Sequence, residues 1–166
     1  MIIEGYSYCL GDDINTDLII SGRYKFSISD IQELSTHIFE DVDPQFYRRL
    51  KPGKSILVGG KNFGMGSSRE QAPLVIKEAG IVAVVAKSFA RIFYRNAVNI
   101  GLPLVEADTA KIKESDCLKI DLTKGILQNT TRTYEVGILS LPTVMVELLS
   151  DGGFINHFKK HGKIKL

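Results

Sequence analysis

The sequence predicts an α/β fold on three observations. Between Ile56 and Val105, short apolar runs rich in β-branched residues alternate with segments of helical period. That order of strand, helix, strand, helix, strand favours a parallel sheet with right-handed crossovers. Beyond Asp108, three short strand patterns separated by turn residues read as a C-terminal antiparallel meander. Third, 44% of the 166 residues are hydrophobic and 24% are charged, enough apolar side chain for one domain spanning 1–166.

Taken in order, Ile2 to Leu10 carries the β-branched and aromatic residues of a strand and runs into the polar loop Gly11-Asp12-Asp13-Ile14-Asn15-Thr16-Asp17. Ser29 reads as the cap of a helix with Ile31, Leu34 and Ile38 on one face, followed by a shorter helix across Asp43 to Leu50. Ile56 to Val58 is a buried strand, Gly59 to Ser68 a glycine-rich loop, and Glu70 to Ala79 a helix stopped by Gly80. Ile81 to Ala86 is the next strand. Ser88 reads as the cap of a helix whose Phe89, Ile92 and Phe93 share a face, and Gly101-Leu102-Pro103 ends it before a strand at Leu104 and Val105. The meander comprises Cys117 to Leu122, Ile126 to Gln128 and Arg132 to Val136, and two short helices, Val144 to Leu149 and Phe154 to Lys160, follow.

Composition excludes several function classes. Twenty-one Lys and Arg against 19 Asp and Glu give a formal charge of +2, too balanced for a general nucleic-acid or anionic-membrane binder. No apolar run reaches the roughly 18 residues of a membrane helix, and the start lacks a basic segment followed by an apolar one, so a cytoplasmic protein is expected. Cys9 and Cys117 form neither a C-x-x-C pair nor a disulfide framework and read as buried small hydrophobes. His157 and His161 stand one helical turn apart, a spacing that suits zinc, but the sequence shows no third ligand and the basic surroundings favour a solvated face. No metal site is therefore expected in this chain. Asp12, Asp13 and Asp17 lack the alternation and terminal Glu of a calcium loop.

The segment Gly60-Lys61-Asn62-Phe63-Gly64-Met65-Gly66-Ser67-Ser68-Arg69-Glu70 lies between a strand and a helix, where backbone amides and the helix N-terminus favour an anion. Ser67, Ser68 and Arg69 add two hydroxyls and a guanidinium able to grip a carboxylate. A tight turn followed by a capped helix would share this spacing. The Walker pattern fails because no Gly-Lys-Ser or Gly-Lys-Thr ends the loop. The dinucleotide pattern fails because Arg69 stands where a third glycine belongs, and Gly66-Ser67-Ser68-Arg69 is not a nucleophile elbow. Arg91 and Arg95, one turn apart, read as solvated helix arginines with substrate contact as the alternative.

The run Asn62 to Ala72, followed by Lys87-Ser88-Phe89-Ala90-Arg91-Ile92, resembles the mobile C-terminal domain of the aconitase superfamily. Asn15-Thr16-Asp17 and Phe93 to Pro103 extend the likeness over nearly the whole chain, in the form of the separate small subunits of isopropylmalate isomerases and homoaconitases. The resemblance implies a swivelling β/β/α three-layer domain with a mainly parallel sheet. It implies a large partner subunit, in a heterodimer or heterotetramer, whose cysteines hold a [4Fe-4S] cluster, so that this chain binds none. The implied reaction is isomerisation of a small hydroxy acid by loss and return of water, as in leucine biosynthesis. The implied catalytic residues are Ser67 as base, Ser68 and Arg69 on a carboxylate, and Asp17 orienting the cluster. Tyr24, Lys25 and Phe26, within Gly22 to Ser27, match the segment that contacts the variable part of the substrate. Self-association of the isolated chain stays open. Many relatives carry Cys at the position of Met65, and a thioether packs rather than reacts.

Overall fold

The computed structural model describes residues 1–24 and 27–162. The strands among them are β1 (Ile2–Cys9), β2 (Ser55–Val58), β3 (Ile81–Ala86), β4 (Leu104–Glu106), β5 (Cys117–Asp121), β6 (Ile126–Asn129) and β7 (Tyr134–Gly137). The helices are α1 (Thr16–Ile19), α2 (Ile31–Ser35), α3 (Phe46–Arg49), α4 (Gln71–Glu78), α5 (Arg91–Asn99), α6 (Thr143–Ser150) and α7 (Phe154–His161). All seven strands share one sheet in the order β4-β3-β2-β1-β5-β6-β7. The pairs from β1 to β4 are parallel and those from β1 to β7 antiparallel.

The two halves join at β1, where Tyr6 faces Ser55 in the parallel ladder and Cys117 in the antiparallel one. Side chains alternate across a strand, so each face of the sheet builds its own core. Tyr8, Leu57, Val84 and Ala86 face the helices, where they pack with Phe63, Val75, Ile76 and Phe93. Ile3, Ile56, Val58, Ala83 and Val85 face the opposite way and pack with Leu118, Ile120, Leu127 and Leu149. Burial on both faces explains why β2 and β3 read as unbroken apolar runs. The meander curls back over the sheet: Leu122, Ile138 and Leu141 line a 150 Å³ cavity together with Leu104 and Val105 of β4. Helices on one face of this mixed sheet and its meander half folded over the other give the three-layer arrangement that the resemblance implies.

Several local expectations are corrected. Asp30, not Ser29, caps α2, its carboxylate accepting from Gln32 N at 3.1 Å. Ser88 caps nothing, because its hydroxyl accepts from Asn62 N at 2.8 Å and α5 starts only at Arg91. Phe89 therefore precedes the helix, whose buried face is set by Phe93 and Ala97, and Ile92 is 46% exposed instead of sharing that face. Cys9 is exposed and Cys117 half-buried, so neither is the buried hydrophobe expected. Both are free thiols, and the register that sets Cys117 opposite Tyr6 leaves it three residues from Cys9, about 10 Å along the strand and beyond disulfide reach. His157 and His161 do have a third neighbour. Asp151 in the α6–α7 turn accepts from both rings, at 2.7 and 2.9 Å, through a chain reversal that sequence spacing does not reveal.

Candidate active site

Parallel strands β1, β2 and β3 send their next segments out at the same edge of the sheet, their carboxyl ends, where open α/β sheets bind ligands. The glycine-rich loop after β2 lies between the other two and is stitched to both. Toward the loop after β1, Thr16 N donates to Met65 O at 2.8 Å and Gly64 N to Ile14 O at 2.7 Å. Toward the segment after β3, Phe63 N donates to Ser88 O and Ala90 N to Phe63 O, both at 2.9 Å. These are strand-like bridges one residue long, so the loop is held with the regularity of a sheet.

Side chains complete the anchorage. Phe63 is fully buried and meets Phe93 edge-on with ring centroids 5.5 Å apart, which pins the middle of the loop to α5. Gly64 follows at φ 81°, and a Cβ there would strike the Phe93 ring; Gly66, at φ 95°, would strike the Asn15 side chain. Only glycine satisfies both the left-handed backbone and the close approach. Asn15 caps α1, accepting from Asp17 N at 2.9 Å, and so presents Asp17 on the first turn.

Arg69 is drawn toward that turn. Its Nη2 pairs with Asp17 Oδ1, its Nη1 donates to Ile20 O at 3.1 Å, and its side chain is only 16% exposed. Thr16, 2% exposed, donates its hydroxyl to Ser67 O at 2.9 Å. The α1 turn thus holds the backbone of Ser67 and the guanidinium of Arg69 at once. Ser67 and Ser68 are themselves exposed. With Thr16, Arg69, Ala90, Arg91, Ile92 and Phe93 they line a cleft of 320 Å³. The lining combines hydroxyls and two arginines, which suit a carboxylate, with the apolar surface of Ala90, Ile92 and Phe93.

Four of the residues singled out from the sequence, Asp17, Ser67, Ser68 and Arg69, therefore stand together. Met65 is half-buried, its sulfur 3.4 Å from Asn62 Nδ2. Tyr24 stands apart from the cleft: its hydroxyl donates to Glu40 at 2.6 Å and its ring stacks on His37 with centroids 4.0 Å apart. Lys25 and Phe26 lie outside the described residues. Arg91 lines the cleft but Arg95, a turn later, does not. The positioning hydroxyl of Thr16 and the exposed side chain of Ile92 were not singled out. Thr16 sits within the polar loop already flagged, whereas nothing local marks an isoleucine that faces a cleft.

The Aconitase C-terminal domain family matches residues 22–109. A 3-isopropylmalate dehydratase small subunit of Archaeoglobus fulgidus is 51% identical over 166 residues, the whole of both chains. The methanogen homoaconitase small subunit of Methanothermobacter thermautotrophicus is 45% identical over 159 residues, covering 96% of this chain and 92% of that one. Among solved structures, a 3-isopropylmalate dehydratase of Methanocaldococcus jannaschii superimposes with a TM-score of 0.90 at 44% identity, covering 98% of this chain and 96% of that one. The cleft is thus built on a fold shared from end to end with these subunits, and the chain belongs to the aconitase C-terminal domain family.

Proposed function

We propose that the chain is the cytoplasmic small subunit of a two-subunit hydro-lyase that converts 2-isopropylmalate to 3-isopropylmalate by dehydration and rehydration, a step of leucine biosynthesis. The observation that carries the reading is the double hold of the α1 turn, Thr16 on Ser67 and Asp17 on Arg69, at the mouth of a cleft. End-to-end likeness to subunits of that name supports it. In this reading residues 1–166 form one domain that swivels to close over the large subunit.

The cleft-lining residues contribute no thiol, imidazole or carboxylate, so they are no ligand set for an iron–sulfur cluster, and in this reading the [4Fe-4S] group belongs to the large subunit. When bound, that group supplies a Lewis acid for the departing hydroxyl. The chain's own residues do the rest. Arg69, steadied by Asp17, and Ser68 bind a substrate carboxylate and fix which carbon faces Ser67. Ser67, as its alkoxide, takes the proton from that carbon as the neighbouring carbon loses its hydroxyl as water. Rehydration with the opposite orientation then puts the hydroxyl on the carbon that lost the proton and returns the proton to the carbon that lost the hydroxyl. Ala90 and Ile92 keep water from the apolar end of the substrate.

A homoaconitase small subunit is the second reading, favoured by the 45% identity to a chain of that name. The two substrates differ in an isopropyl group against an additional carboxylate. Full-length protein mixed with its large subunit and assayed on both acids separates them. Turnover of 2-isopropylmalate only in the presence of the large subunit is expected. Turnover restricted to homoaconitate gives the second reading, and turnover without the partner overturns both. A calorimetric titration of the chain alone with nucleotides tests the remote case of a phosphate-binding module.

A further inference from the structure

Far from the cleft in sequence, the α6–α7 turn gathers one carboxylate and two imidazoles. Asp151 closes α6 as its C-cap, and its side chain is only 7% exposed. His157 and His161 stand one turn apart on α7 with ring centroids 4.6 Å apart. His157 Nδ1 and His161 Nε2 converge on the same oxygen, Asp151 Oδ2, at 2.7 and 2.9 Å. The three ligand atoms lie within 4.8 Å of one another.

We propose that Asp151, His157 and His161 form a divalent-cation site of zinc type, which fastens α7 to the end of α6. The donor set, two imidazole nitrogens and one carboxylate oxygen, is one that zinc takes readily. Each contact to Oδ2 at present needs a proton on the facing ring nitrogen, and one cation replaces both protons. Bonds of about 2.0–2.1 Å in a tetrahedron set the ligand atoms about 3.3 Å apart, so each ring has to withdraw by about half an ångström. His161, 29% exposed on the last turn before Gly162, has that freedom. Its partial exposure also leaves a fourth position open to water.

Lys160 is the neighbour that decides whether a cation is tolerated. Its ammonium lies 2.5 Å from Oδ1, the oxygen the site does not use. A donor on the outer oxygen orients a carboxylate ligand, a frequent arrangement around metals. The Lys160 side chain is 64% exposed, so water screens most of its repulsion. Lys160, then the two imidazoles, hold the Asp151 carboxyl well below the usual carboxylate range, so the oxygen ligand is ionised at any physiological pH.

The test is titration of the full-length, metal-free chain with zinc chloride by calorimetry, and with cobalt(II) by visible absorption. One equivalent and the intense visible bands of four-coordinate cobalt are expected. His161→Ala, on a partly exposed side chain, should weaken binding by about tenfold or more, in line with loss of one ligand. Asp151→Asn should do the same provided it remains folded by circular dichroism. His37→Ala and the double variant Cys9→Ser, Cys117→Ser should bind as the parent does, since those are the remaining imidazole and thiols. Zinc should raise the Tm of the parent but not of His161→Ala. Absence of a saturable equivalent, or equal affinity in His161→Ala, overturns the proposal.

Discussion

The hydroxyl of Thr16 donates to the backbone carbonyl of Ser67 at 2.9 Å, across 51 residues of sequence. The bond ties the most chemically versatile part of the glycine-rich loop to a buried residue of the α1 turn, so Ser67 keeps one placement although its own side chain is exposed. Thr16→Val keeps the shape and removes the donor. Under the proposed function, kcat should fall by about ten- to a hundredfold with little change in Tm, the scale expected of a misplaced reacting group. Steady-state kinetics of the reconstituted complex checks this, and an unchanged kcat would make the bond incidental to turnover.

Ser67→Ala removes the proposed base from an exposed loop position, so folding should be unaffected. Turnover should drop by about two to four decades, the range for a lost general acid–base group. Exchange of the substrate C–H with deuterium from solvent is the sharper measurement, because it reads proton removal alone. Exchange at the parent rate in the variant would move the base to another residue.

Arg69→Lys retains a charge but not a planar fork. In the parent one arm reaches Asp17 and the other the Ile20 carbonyl, a pair of contacts that a single ammonium cannot reproduce. The ratio kcat/KM should fall by about ten- to a hundredfold, mostly through KM, as expected for a lost charge-assisted hydrogen bond to a carboxylate. Asp17→Asn should give a smaller effect in the same direction. Parent kinetics in both variants would leave the pair with a purely structural role.

Asp116 anchors the meander. Its carboxylate, 2% exposed, accepts from Lys113 N at 2.8 Å, Asn129 Nδ2 at 2.7 Å and Arg132 Nε at 2.7 Å. Burial alone would raise its pKa, but these donors together outweigh burial and hold it below the ordinary value. The folded state thus binds the proton less readily than the unfolded chain, whose Asp titrates near 3.9. The stabilisation is complete above about pH 4 and is lost as pH falls through the folded value. Asp116→Asn should cost about 2–3 kcal/mol at neutral pH, the scale of losing hydrogen bonds to a charged group. Urea denaturation at pH 7 and pH 3 should show the parent losing more stability than the variant between the two. Equal losses would place the acid sensitivity elsewhere.

Element order was legible in the sequence because it depends on local patterns. A short unbroken β-branched run marks β3 and apolar residues at helical spacing mark α4 without knowledge of their neighbours, and the glycine-rich loop announces itself by composition. Helix starts were less legible. Ser88 has the right side chain for a cap, but Asn62 claims its hydroxyl, and a contact across 26 residues leaves no trace in local spacing. The displaced start of α5 then turned Ile92 from the expected core face to the cleft.

By itself the sequence determined that strands and helices alternate from Ile56 to Val105, that a meander follows, and that Gly64 to Arg69 carries hydroxyls and a guanidinium in a backbone free to turn. Those properties belong to residue types and their immediate neighbours. Only the tertiary structure decided that β1 pairs both ways, that Asp17 reaches Arg69, that Tyr24 turns to Glu40, and that Asp151 meets two histidines. Each of these is a pairing between segments brought together by burying two apolar faces of one sheet. The free energy that selects them is spread over the core rather than written at the positions that meet.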